Sequence, residues 1–295
     1  MSPATPTGYP DGVLPDYFSV HLYEIKKITN FILNLKSMKI ISRSYPFLLA
    51  ACFVLSCTGG KNNDPLSLYA ELDKSAQPNT LTKSEKKGGW MLLFDGQNTT
   101  GWHGYNMNIF PDCWTIEDGA FTMTTEGGAE SQDIITDKVY KSFAFSVEYK
   151  LTRAANSGII YQISEDPKYK FPYETGPEFQ VIDHENWPDS LADWQVNGAN
   201  YAMYPPMAKP YKPLGDWNHA LLVVNGNKVT QILNGVVVVE YEKNSEEWKR
   251  LRNSGKWADY PDYGKYDEGH ISLQNHGTKV WYRNIKIKEI KPDNQ

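Results

Sequence analysis

The chain has 295 residues, 40% of them hydrophobic and 13% aromatic, with 22 Gly, 18 Pro and a formal net charge of −5. That is a globular composition, and the part after residue 57 is long enough for one large domain. The acidic balance, with no basic tract, sets aside nucleic acid as the main partner.

A short basic stretch, Met38-Lys39-Ile40-Ile41-Ser42-Arg43, precedes an apolar run over 45–55, which Val54-Leu55-Ser56-Cys57 closes with small residues and a cysteine. The run is too short to span a bilayer, for which a helix needs about 20 apolar residues, and it reads as the core of a secretory signal. It resembles a bacterial lipoprotein signal, whose cysteine, here Cys57, is lipidated and becomes the mature N-terminus. Residues 38–57 are therefore expected to be the signal peptide. Residues 1–37 are expected to be an upstream extension from a misplaced start. The mature protein is expected in the cell envelope, facing the periplasm or the cell surface and meeting the membrane through a lipid anchor only. Cys52 leaves with the signal, which strands Cys113 without a disulfide partner or a thiolate metal cluster. Residues 58–87 are polar and read as a flexible tether to a domain over 88–292.

From Trp90 onward the pattern is short β segments separated by turn signals. Residues 90–94 form a strand, ended by Asp95-Gly96-Gln97-Asn98. Residues 114–117 and 120–124 flank Asp118-Gly119, a two-residue hairpin signal. Strict alternation over 143–151 predicts a half-buried strand, and Asn156-Ser157-Gly158 turns into another over 159–163. Residues 184–217 differ, with five prolines and with Trp187, Trp194, Tyr201, Tyr204, Tyr211 and Trp217 spaced among them. A loop of that length in a compact domain is usually functional, and aromatic faces stack on sugar rings. Strands resume over 219–224, 228–233 and 236–241, the last pair joined by Asn234-Gly235. A short helix is expected near 246–251, then a strand running into a turn over 269–277 and a last strand over 279–290. No other segment carries a long helical period, so the fold expected is an all-β antiparallel two-sheet sandwich.

The central stretch is Glu178-Phe179-Gln180-Val181-Ile182-Asp183. Alternation sends Phe179 and Val181 into a core and leaves Glu178 and Gln180 on the other face. Asp183 joins them if a bulge or the strand end re-aims it. His270, Ser272 and Gln274 form a second polar strand face, with His276 in the turn beyond it. Arg283 shares its parity with Trp281, Ile285 and Ile287, so it is expected to need an acidic partner, Glu178 or Asp183.

These pieces resemble the 3-keto-disaccharide hydrolase family. Leu93-Phe94-Asp95-Gly96, Gly101-Trp102, Trp114-Thr115-Ile116-Glu117-Asp118-Gly119, Asn156-Ser157-Gly158 and the central stretch stand in that family's order. So do Asp216-Trp217-Asn218, Leu233-Asn234-Gly235, Leu273-Gln274-Asn275-His276-Gly277 and Tyr282-Arg283-Asn284-Ile285. The resemblance covers about 88–290, and departs from it at Gln162 and Tyr282. It implies a concanavalin A-like jelly roll acting on sugars oxidised at carbon 3, with an oxidised mono- or disaccharide or glycoside as substrate.

By that resemblance the catalytic candidates are Glu178, His276 and Asp183, with Gln180 and Arg283 as substrate contacts; Asn156, Trp217, Tyr201 and Gln274 are further candidate contacts from the turn, the aromatic loop and the polar strand face. A 3-keto group acidifies the hydrogen on carbon 2, so a base there can expel the carbon-1 substituent before water adds. Glu178 is expected as base and His276 as acid or orienter. A divalent metal, with Glu178, Asp183 or His276 as ligands, is compatible with the chemistry. Two other readings keep the fold: a glucanase-like glycoside hydrolase using Glu178 and Asp183, and a glycan-binding lipoprotein without catalysis.

Overall fold

The computed structural model describes residues 63–123 and 131–291. The signal segment, Cys57 and the upstream extension lie outside the described residues.

The architecture is the expected jelly-roll sandwich of two antiparallel sheets. Its strands are β1 (Met91–Leu92), β2 (Trp102–Gly104), β3 (Trp114–Glu117), β4 (Ala120–Met123), β5 (Ile134–Thr136), β6 (Phe143–Leu151) and β7 (Asn156–Ile163). After them come β8 (Glu178–Ile182), β9 (Asn218–Asn225), β10 (Lys228–Leu233), β11 (Val236–Glu242), β12 (His270–Leu273) and β13 (Val280–Glu289). One sheet has eight strands in the order β11-β10-β9-β6-β13-β4-β3, with β1 also on β13. The other has five, in the order β2-β5-β12-β7-β8. The core between them takes Phe143, Phe145, Val147 and Tyr149 from β6. Facing these are Ile159 and Tyr161 from β7 and Phe179 and Val181 from β8, as alternation predicts. Both hairpin signals are real turns. Asp118 and Gly119 have φ of 51° and 73°, and Asn234 and Gly235 have 49° and 85°, the paired positive values of a type I′ turn.

The stretch expected to be a flexible tether is folded from its described start onward. Helix α1 (Pro65–Ala70) is capped by the Asp64 carboxylate, and α2 (Lys83–Gly88) by a Thr82/Glu85 capping box. Leu68, Leu72 and Trp90 pack on Ala144, Leu221, Val223 and Ile232, on the back of the eight-stranded sheet. Glu85 meets Lys286 at 2.7 Å with both side chains sealed from solvent. A polar composition concealed this, because each helix buries a single residue, Leu68 in one and Glu85 in the other.

Arg283 corrects a parity argument. A bulge in β13 pairs Arg283 with Glu148 and Lys286 with Ser146, three steps against two, and Asn284 sits there with φ of 54°. The extra residue reverses the alternation beyond it. Ile285 and Ile287 join the core, while Arg283 faces out of the eight-stranded sheet.

Helix α3 (Glu246–Ser254) falls where a short helix was expected, N-capped by Ser245. Beyond it a 3₁₀ turn, Lys256–Asp259, brings the chain back to the five-stranded sheet.

Candidate active site

The outward face of the five-stranded sheet collects the polar residues. Ile135, Ser272, Ile160 and Glu178 lie opposite one another across β5, β12, β7 and β8. Ile134, Leu273, Ile159 and Phe179 form the next row and point into the core. The row beyond therefore faces outward again: Asp133, Gln274, Gly158 and Gln180. Its register is held by Gln274 N–H donating to Gly158 O at 2.9 Å and by Asn275 N–H donating to Asp133 Oδ1 at 2.7 Å. Asn156 shares this face, two residues before Gly158.

Glu178 is 4% exposed, and its side chain lies across β7 over the gap left by Gly158. Only β12 runs between β5 and β7. The backbones of Asp133 and Glu178 are three strand spacings apart, roughly 14 Å, and the Glu178 side chain reaches back over β7 towards Asp133, with Gln274 on the floor between them. Burial pushes the Glu178 carboxyl up to about 8; Lys256 opposes this and the Asp133 charge adds to it. Burial likewise pushes Asp133 up to about 7, against the Asn275 amide. Two carboxyls with raised values flanking one cleft are the usual mark of acid–base machinery. Beside them Gln180 Oε1, Asn156 Oδ1 and Ser272 Oγ are buried without a partner among the described residues. All three stand on the same outward face, where ligand hydroxyls would satisfy them.

The long aromatic loop supplies one wall. Residues 198–201 run along β8, with Tyr201 N–H donating to Glu178 O at 3.0 Å and Gly198 N–H to Gln180 O at 2.9 Å. The Tyr201 ring meets Trp194 and Trp257 edge-on. Lys256 is exposed at the mouth, its Nζ 4.6 Å from the Tyr201 ring centre, 4.8 Å from Tyr173 and 4.6 Å from Trp257.

Of the residues expected from sequence, Glu178, Gln180, Asn156, Gln274 and Tyr201 come together here. Three of the other four, Asp183, Arg283 and Trp217, stand elsewhere. Asp183 is spent on the backbone: its Oδ2 accepts from Ala154 N–H at 2.8 Å and its Oδ1 from Asn186 at 3.1 Å. It lines a hollow with His184, Asn197 and Tyr211 rather than the cleft. His276 is exposed in the turn after β12. Arg283 pairs with Glu148 at 2.7 Å and stacks on Trp217, its guanidinium 3.9 Å from the ring centre, so both belong to the back of the other sheet. Among the described residues Glu178, Asp183 and His276 do not gather as a metal-ligand group. Gln162 holds a separate buried network, bonding Lys141 O, Asp267 O and Lys243 Nζ.

Asp133 and Lys256 escaped the sequence reading. Asp133 had a usable signal, since it opens the β-branched run Ile134-Ile135-Thr136, which reads as a short strand. Lys256 had none, because apart from the adjacent Trp257 its ring neighbours, Tyr173 and Tyr201, come from remote segments.

A second polar cluster lies at the other edge of the sheet. His103 bridges Asp137 at 2.6 Å and Glu165 at 3.2 Å. Burial lowers the His103 imidazole, but the two carboxylates outweigh it and its value is raised.

A family model, the 3-keto-alpha-glucoside-1,2-lyase-like domain, matches residues 89–288. The 3-keto-disaccharide hydrolase of Bacteroides thetaiotaomicron is 31% identical over 278 aligned residues, covering 82% of this chain and 96% of that protein. A crystal structure described as a "putative glycosyl hydrolase" from Parabacteroides distasonis superposes with a TM-score of 0.69 at 40% identity, over 73% of this chain and all of that one. A second structure of that description and source, at 23% identity and a TM-score of 0.52, covers 68% of this chain and 99% of its own and speaks to the fold alone.

Proposed function

Because this chain belongs to the family of the 3-keto-alpha-glucoside-1,2-lyase-like domain, we propose that it cleaves the glycosidic bond of 3-keto-glycosides and 3-keto-disaccharides by elimination and hydration. The observation that carries the reading is the pair of raised carboxyls, Asp133 and Glu178, facing each other across Gln274.

The surroundings of the two carboxyls assign the roles. Asp133 is half-buried and accepts the Asn275 amide N–H, which favours its anion, while Glu178, 4% exposed and with no side-chain donor on its carboxyl among the described residues, sits where the protonated form is favoured. The Asp133 carboxylate takes the carbon-2 hydrogen that the ketone has acidified. As the C1=C2 bond forms the C1–O bond breaks, and Glu178 hands its proton to the departing oxygen. Water then adds its hydroxyl to carbon 1 and returns a proton to Glu178, while Asp133 gives its proton back to carbon 2. The net change is hydrolysis. Glu178 is thereby the acid rather than the base that the sequence suggested, and Asp133 takes the base role. The unsatisfied Gln180, Asn156 and Ser272 oxygens would meet the sugar hydroxyls, with Tyr201 walling the ring.

The glucanase reading needed Glu178 and Asp183 as its carboxylate pair, and the bonds from Ala154 and Asn186 to Asp183 weigh against it. A purely glycan-binding surface would have no use for two carboxyls that burial pushes above the carboxylate range.

The test separates base from acid. Asp133→Asn should lose both deuterium exchange at carbon 2 and product release by roughly 10²–10⁴-fold. Glu178→Gln should lose release of a sugar leaving group, retain exchange, and recover much of its rate when the leaving group is nitrophenolate, which needs no proton. Near-normal exchange in Asp133→Asn would refute the assignment.

For localisation, the Val54-Leu55-Ser56-Cys57 motif supports lipidation of Cys57 and an envelope site of action. No helix among the described residues is long and apolar enough to cross a membrane.

A further inference from the structure

Glu178 works in a demanding place. It is almost wholly buried, and no side chain among the described residues hydrogen-bonds its carboxyl. Giving up a proton there creates an anion in an apolar surrounding, which is costly without a nearby cation. The charged and titratable groups around it are Asp133 from the lead-in to β5, Lys256 from the 3₁₀ turn, and the hydroxyls of Tyr201, Tyr263 and Tyr282. Lys256 is the cation in that set.

Lysines elsewhere in the molecule are held differently. Lys286 is fixed by Glu85 at 2.7 Å and Lys288 by Glu71 at 2.6 Å, contacts that neutralise the charge they hold. Lys256 has no carboxylate within ion-pair distance among the described residues. Three ring faces hold it instead, those of Tyr173, Tyr201 and Trp257, all with centres 4.6–4.8 Å from Nζ. The rings are themselves anchored: Trp257 is fully buried, stacks on Tyr263 at 4.0 Å and donates Nε1–H to Tyr201 O at 3.2 Å. Quadrupole attraction positions an ammonium without cancelling its charge. A caged, uncommitted cation beside a buried acid is thus available for the charge that reaction creates.

Resting on the acid role of Glu178 proposed above, we propose that Lys256 is the positioning cation that compensates Glu178 as it protonates the leaving group, and that Tyr173, Tyr201 and Trp257 hold it at that side of the cleft. The mutual influence has the right sign: lost hydration of Nζ against the rings lowers the Lys256 ammonium, and the Glu178 charge opposes that. In turn Lys256 draws the Glu178 carboxyl down, against its burial.

The experiment compares Lys256→Met and Lys256→Arg with the wild type on two 3-keto-glucosides, one with a sugar and one with a nitrophenolate leaving group. Lys256→Met should lower kcat for the sugar leaving group by roughly 10–100-fold with little change in KM, since only transition-state charge is affected. The nitrophenyl substrate and carbon-2 exchange should stay within about threefold of wild type, because neither needs the acid. Without the cation Glu178 keeps its proton to higher pH, so the alkaline limb of the rate profile should move up by about one unit. Lys256→Arg should preserve most of the rate and the position of the limb.

An unmoved limb, or an equal loss on both substrates, would overturn the proposal and make Lys256 a structural residue. A wild type without carbon-2 exchange would instead overturn the elimination chemistry itself, so the two failures are distinguishable.

Discussion

The Glu178 carboxyl occupies the space that a side chain at residue 158 would fill. A Cβ placed on Gly158 would lie 2.3 Å from Glu178 Oε1 and 2.8 Å from its Cδ. Gly158 lacks a positive φ, so glycine is there for room and not for backbone freedom. Gly158→Ala should therefore fold, at a cost of about 1–3 kcal/mol for overpacking, and should lose most of its activity as Glu178 is driven from its place. Chemical denaturation and turnover on a 3-keto-glucoside check both halves. An alanine variant with wild-type turnover would show that the acid does not need this seat.

Glu178 also links stability to pH. Its folded value is raised, so the stability it contributes is present below the ordinary carboxylate range and is lost as pH rises towards about 8. Glu178→Gln keeps the shape and removes the ionisation. Its melting temperature should exceed that of the wild type at pH 8–9, with the gap closing near pH 4. A gap of the same size at every pH would contradict the linkage.

Lys286 and Glu85 tie the N-terminal helices to the sandwich through a sealed ion pair. Lys286→Met leaves Glu85 buried with only the Thr82 and Asp73 amides, at 2.8 and 3.2 Å. Stranding one member of such a pair typically costs about 3–5 kcal/mol. Limited proteolysis should then cut within 71–88, well before the sandwich unfolds. Resistance there equal to the wild type would mean that Leu68, Leu72 and Trp90 hold the helices unaided.

Arg283 belongs to the back of the eight-stranded sheet. Arg283→Ala should lower the melting temperature by a few degrees, for the loss of the Glu148 pair and about 1 kcal/mol of stacking on Trp217. Turnover should stay within about twofold, as expected for a residue outside the reaction site. A large rise in KM with unchanged stability would return Arg283 to the substrate.

Mass spectrometry of the membrane-extracted protein should find a diacylglyceryl cysteine at position 57 as the mature N-terminus. A soluble product retaining Met38 would count against lipidation.

Local pattern alone determined much of this protein. The strand alternation of 143–151, the two positive-φ turns at Asp118-Gly119 and Asn234-Gly235, and the outward parity of Glu178 and Gln180 depend only on neighbouring residues. Local rules carry them because a strand has period two and a tight turn needs particular residues. Where a single residue breaks the period, the same rules fail. The bulge at Asn284 moved Arg283 to the opposite face from Ile285, and the backbone claimed Asp183.

Tertiary structure alone decided the chemistry at the cleft. Asp133, Glu178 and Lys256 are separated by 45 and 78 residues in the chain. They meet only because β5, β7 and β8 share one sheet and the turn at Lys256–Asp259 folds back over it. Proton affinity depends on burial and on charges brought near in space, so no reading of residues in sequence order could have assigned the roles of the two carboxyls.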